Sequence, residues 1–126
     1  MKIIITATAP ELEATVDPRF GRGAYFVVVD TDTLKWQAHA NQGVNAAGGA
    51  GSQAAQFAAQ QGVAAIISGD FGPNAYIALA AAEIKMYLLG ASKTVQEAVT
   101  SFAAGELAQV SAPTGAGHHG GHGGRS

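Results

Sequence analysis

No cysteine occurs among the 126 residues. That removes disulfides, thiol nucleophiles and thiolate-held zinc or iron–sulfur centres. Any metal bound here must use histidine, carboxylate or backbone ligands, or arrive already wrapped in its own sulfides. Charge is also scarce, with charged residues making up 13% of the chain, well below the usual share. Seven lysines and arginines against nine aspartates and glutamates give a formal charge of −2, which leaves no broad basic field for a nucleic-acid backbone. No apolar run approaches the roughly 18 residues that a membrane span needs. The N-terminus enters a strand pattern directly, without a signal-peptide layout. The expectation is a soluble, cytoplasmic chain with neither nucleic acid nor membrane as a partner.

What is present is small and apolar. Hydrophobic residues make up 48%, and 27 positions are alanine. That composition excludes a disordered chain and calls for a core built by close approach rather than by bulk. The length suits one domain.

Residues 2–8 form a β-branched run without helical spacing, the pattern of a central strand covered on both faces. Pro10, Pro18, Gly21 and Gly23 break regular structure, so 9–22 reads as a long loop. A second strand follows at 25–30, then the turn Thr31-Asp32-Thr33 and an edge strand over 34–40. In that edge strand Leu34, Trp36, Ala38 and Ala40 alternate with Lys35, Gln37 and His39, which places His39 on the polar side as a surface residue. The glycine-rich stretch 43–51 reads as a loop opening a helix at 52–61, which Gly62 stops. A buried strand at 63–68 and the turn Gly69-Asp70-Phe71-Gly72 lead to Pro73 at the first position of a helix over 73–82, followed by a strand at 84–89. Thr94 three residues before Glu97 makes a capping box for a last helix ending near Gly105, with Val95, Ala98, Val99 and Phe102 inward. The order β-β-β-α-β-α-β-α predicts an α/β fold with a mixed five-stranded sheet, antiparallel at first and then parallel through right-handed crossovers. The domain is expected to span 1–110, and the glycine- and histidine-rich segment 111–126 to be a flexible tail.

Three places could carry chemistry. The loop Asp17-Pro18-Arg19-Phe20-Gly21-Arg22-Gly23 sets two guanidinium forks beside flexible glycines, which suits an oxyanion or a sulfide-rich anion. The alternative there is a solvated loop whose arginines only balance Asp17. Gly48-Gly49-Ala50-Gly51 and Gly69-Asp70-Phe71-Gly72-Pro73-Asn74 both feed helices, so backbone N–H groups and helix dipoles could meet one anion, or the glycines could serve only as turns and caps. No Gly-Lys-Ser/Thr follows either loop, which argues against a nucleoside triphosphate. His118, His119 and His122 have spacing that permits a divalent-metal grip by the tail. Neither a nucleophile elbow nor a Ser-His-Asp set is present, so no enzyme activity is expected.

The succession Asp17-Pro18-Arg19-Phe20-Gly21-Arg22, Tyr25 through Asp30, Gly49-Ala50-Gly51, Gly62-Val63, Gly72-Pro73-Asn74-Ala75 and Thr94 through Ala98 resembles the dinitrogenase iron-molybdenum cofactor biosynthesis family over about residues 1–107. That family includes NifX-type carriers, the C-terminal domain of NifB-type proteins and small orange-protein-like members. The resemblance implies a ribonuclease H-like fold and carriage of an anionic metal–sulfur cluster, either a molybdenum–copper sulfide or an iron–sulfur precursor of the iron–molybdenum cofactor, with cluster-donating or cluster-receiving proteins as partners. Some members hold their cluster with cysteine or histidine, so a chain without cysteine points to noncovalent capture. N–H donors, guanidinium groups and an apolar wall are what such a cluster needs, and Arg19, Phe20, Gly21, Arg22, Gly49, Ala50, Gly51, Phe71, Gly72, Pro73 and Asn74 could provide them. The competing reading is a cofactor-free interaction or regulatory module whose edge strand pairs with a partner.

Overall fold

Ile3, Ile4 and Ile5 are buried in succession without any solvent exposure, which requires packing on both faces of their strand. The computed structural model describes residues 1–42 and 49–113 and supplies that cover. Strand β1 (Lys2–Ala7) lies at the centre of a sheet with β2 (Tyr25–Asp30), β3 (Trp36–Ala40), β4 (Ala65–Ser68) and β5 (Lys85–Leu88). The spatial order is β3-β2-β1-β4-β5. β1 pairs antiparallel with β2, and β2 with β3; β1 pairs parallel with β4, and β4 with β5. This is the mixed five-stranded arrangement expected from the element order and the ribonuclease H-like fold that the family resemblance implies.

Helices α1 (Ala50–Gln61), α2 (Pro73–Ala81) and α3 (Val95–Ala103) complete the body. Ile4, Phe26 and Ile66 share one core with Ala54, Ala58 and Leu79, which places α1 and α2 on one face. Ile3, Ile5 and Val27 share the other with Val95, Ala98 and Val99 from α3. Alanine lets α1 lie close to the sheet, in keeping with the composition. Among the described residues no helix is long and apolar enough to cross a membrane.

Element ends depart from the pattern reading for identifiable reasons. α1 starts at Ala50 rather than at residue 52, because Gly49 adopts a left-handed conformation (φ +76°) that turns the chain directly into the helix. β3 starts at Trp36 rather than at residue 34, since Leu34 itself has a positive φ of 64° in the turn. Glu83 has φ +62° and closes α2 before β5 begins at Lys85. The segment 9–22 is more ordered than a plain loop. Its end forms a 3-10 turn (Phe20–Arg22), and bridges join Val16 to Ala7, Thr15 to Thr94 and Arg19 to Asp70.

Beyond α3 the chain turns back along β5. Leu88 N–H donates to the Ala108 carbonyl and Val110 N–H to that of Met86. The Tyr76 hydroxyl donates to the Ser111 carbonyl at 2.8 Å. Most of the segment expected as a tail, with His118, His119 and His122, lies outside the described residues.

Candidate functional site

Three chain segments distant in sequence meet at one cleft. The 3-10 turn contributes Phe20, Gly21 and Arg22; the start of α1 contributes Gly49, Ala50 and Gly51; the start of α2 contributes Gly72, Pro73, Asn74 and Ala75. The cleft encloses about 260 Å³. These segments come together because side chains are missing between them. A Cβ on Gly21 would lie 2.9 Å from the Gly51 nitrogen, and one on Gly51 would lie 3.1 Å from the Ala75 Cβ. The small residues thus act as contact surfaces between the turn and the two helices.

The two helix starts share a second property. Neither Gly49 nor Gly72 caps its helix with a side chain, and neither first turn contains an acidic residue. The first intrahelical bonds run from Gln53 N–H to the Gly49 carbonyl and from Tyr76 N–H to the Gly72 carbonyl. Gly51, Ser52, Asn74 and Ala75 therefore carry amides that precede the helical ladder, at the positive ends of two dipoles. α3 does the opposite: the Thr94 hydroxyl accepts from Glu97 N–H at 3.1 Å, and the Glu97 carboxylate accepts from Lys93 N–H at 2.8 Å. Gly72 has ordinary extended geometry (φ −66°, ψ 173°), and a Cβ there would meet nothing within 4 Å. Neither backbone strain nor protein packing demands glycine at that position.

The arginines divide their work. Arg22 lines the cleft. Arg19 does not, because Asp17 engages it. The Asp17 carboxylate accepts from Arg19 N–H at 3.0 Å and from Nε and Nη2 at 3.1 Å each. The hydrogen bond to Asp17, together with its charge, raises the guanidinium pKa further above its usual value. Asp17 is buried beneath a guanidinium whose side chain is 64% exposed, so this pair is neither a free surface ion pair nor a spare anion fork. The Asp17 backbone is anchored from below: Thr6 Oγ1 donates to its carbonyl and lies 3.0 Å from Ser68 Oγ, which donates to the Pro18 carbonyl. Asn41 adds a brace from the end of β3, its amide donating to the carbonyls of Gly21 and Gly23 at 3.1 and 2.8 Å.

The aromatic residues form the floor. Phe71 is fully buried, with ring centroids 5.6 Å from Phe20, which lies 6.0 Å from Phe26. Phe71 therefore supports Phe20 from within the core, and Phe20 is the aromatic that reaches the lining. The sequence pattern does not reveal the Asn41 brace or the Thr6–Ser68 anchor, since each is a single polar residue whose partner is remote in sequence.

His39 departs from its expected place on a solvated face. Its ring packs edge-on against Phe57 of α1 at 5.2 Å, because the side of β3 that looked polar faces that helix. Among the described residues no group of three or more histidine, aspartate or glutamate side chains could hold a metal ion.

Comparison with known proteins gives this architecture its relatives. The orange protein of Desulfovibrio gigas, solved in its apo form, matches with a TM-score of 0.86 and 39% identity over 90% of this chain and 96% of its own. An NMR structure of a candidate NifB protein from Thermotoga, assigned to the DUF35 family, matches with a TM-score of 0.76 and 31% identity over 86% of this chain and 91% of its own. No curated protein sequence matches significantly. Residues 1–105 match the family described as dinitrogenase iron-molybdenum cofactor. With five-sixths of its length inside that match, the chain belongs to the dinitrogenase iron-molybdenum cofactor family and has a cofactor-related role.

Proposed function

We propose that the chain binds a preformed anionic metal–sulfur cluster noncovalently in the cleft, as cargo, and retains it for assembly or hand-over rather than catalysing a reaction. The observation that carries this reading is the meeting of two helix N-termini, both without side-chain caps, beside Arg22. Backbone amides and a guanidinium are donors suited to sulfide acceptors carrying net negative charge. Gly72 leaves room where a cargo atom would need to approach the main chain. A molybdenum–copper sulfide and an iron–sulfur precursor of the iron–molybdenum cofactor both have the required charge and bring their own sulfides. Arg19, tied to Asp17, positions the turn that presents Arg22 and Gly21.

The test is uptake. The purified protein is incubated anaerobically with tetrathiomolybdate plus copper and, separately, with an iron–sulfur cofactor precursor, then desalted and analysed for metal and sulfide. A coloured, stoichiometric complex is expected with at least one. Arg22→Ala should weaken retention about tenfold or more while its far-ultraviolet circular dichroism stays native. No stoichiometric uptake from either mixture overturns the proposal, and undiminished retention by Arg22→Ala removes the cleft as its site.

A further inference from the structure

The two edges of the sheet are treated differently. The β5 edge is closed by the chain's own residues Ala108 and Val110. Along β3 the described residues provide only β2 as a partner, on the inner side. Asp30 N–H donates to the Lys35 carbonyl and Asn41 N–H to that of Ala24. Odd-numbered residues of this strand therefore bond inward, and Trp36, Ala38 and Ala40 turn their N–H and C=O groups outward.

Edges of this kind are ordinarily blunted by lysine, proline or a bulge. β3 reads Trp-Gln-Ala-His-Ala and contains no charged residue or proline, and α1 beside it contains no charged residue either. Trp36 is 39% exposed at this edge. His39 Nε2 is buried without a hydrogen-bond partner, in a groove bordered by Gln53, Gln56 and Gln60.

We propose that β3 pairs antiparallel with β3 of a second copy about a two-fold axis at Ala38, forming a homodimer with a continuous sheet. In this register Ala38 meets its twin, and Trp36 meets Ala40 of the second copy. Each such pair exchanges both of its outward backbone bonds. Gln37 of the second copy falls opposite His39 in a closely spaced, non-hydrogen-bonded pair, where its amide packs beside the imidazole. On the other face the Trp36 ring covers Ala40 of the second copy. The pairing closes on itself: the same five residues supply both partners, and no like charges meet. Those features favour a second copy over a different protein, which this uncharged strand has no charge to select.

The absence of cysteine makes the register directly testable. In the proposed pairing the two Ala38 Cα atoms lie about 5.5 Å apart, within disulfide range. The two Ala40 Cα atoms are offset by about four residues, or roughly 13 Å. The full-length wild-type chain should sediment at twice its 12.7 kDa mass and dissociate on dilution. Ala38→Cys should oxidise to a cross-linked dimer and Ala40→Cys should not. Gln37→Lys, which alters an exposed side chain, should raise the dissociation constant at least tenfold while its far-ultraviolet circular dichroism stays native. A wild-type chain that remains monomeric at all concentrations overturns the proposal, as does Ala40→Cys cross-linking as readily as Ala38→Cys.

Discussion

Gly72 separates the demands of folding from those of binding. Its dihedral angles suit any residue and a Cβ there meets open space, so protein architecture alone would tolerate a better helix cap. Gly72→Asp supplies that cap and complements the α2 dipole, and should leave stability unchanged or raise it by about 0.5 kcal/mol. It should also place a carboxylate where the proposed cargo brings negative charge, and abolish uptake. Denaturant titration and cluster retention, measured on the same preparation, check the two halves of this expectation. Gly21, Gly51 and Gly69 differ from Gly72, since an added Cβ would meet neighbouring atoms at 2.9, 3.1 and 2.7 Å respectively. The sequence displays all four as equivalent loop glycines. Only the three-dimensional neighbourhood distinguishes a glycine kept for packing from one that packing does not require.

At the scale of elements, the geometry of the cleft depends on how closely α1 approaches α2. Gly51→Val would drive its side chain against Ala75, whose Cβ already lies 3.1 Å from the position of an added Cβ. Overpacking of this kind costs about 1–3 kcal/mol. The variant should melt lower and lose uptake together, unlike Gly72→Asp; thermal unfolding and metal analysis would show it. Much of this level was legible beforehand. The β-branched run Ile3-Ile4-Ile5 gave the central strand, the Thr94–Glu97 spacing gave the start of α3, and Pro73 gave that of α2. The start of α1 was less legible because Gly51 disfavours a helix by propensity, and a tertiary contact with Ala75 outweighs that preference. His39 was misplaced because alternation shows that two faces differ but not which one a helix will cover; here the Gln37–His39 side faces α1.

For the whole molecule, residues beyond α3 matter more than their composition suggests. Val110 is buried, and the segment around it closes the β5 edge through two backbone hydrogen bonds. Ending the chain after Leu107 should cost about 2 kcal/mol from the lost valine burial alone. It should also promote concentration-dependent aggregation through the uncovered strand. Calorimetry and light scattering read these two effects. This return strand escaped the pattern reading because Ala-Gln-Val is too short to show a period, and its pairing is set by β5.

The reliance of the cleft on main-chain donors also bears on how its tolerance to mutation will look. Truncating side chains cannot delete an amide, so a systematic replacement by alanine would find few sensitive positions there beyond Arg22 and the close-packed glycines Gly21 and Gly51, where alanine adds an atom. Sensitivity should instead emerge when atoms are added, and the substitutions that expose the site will be those that make small residues larger.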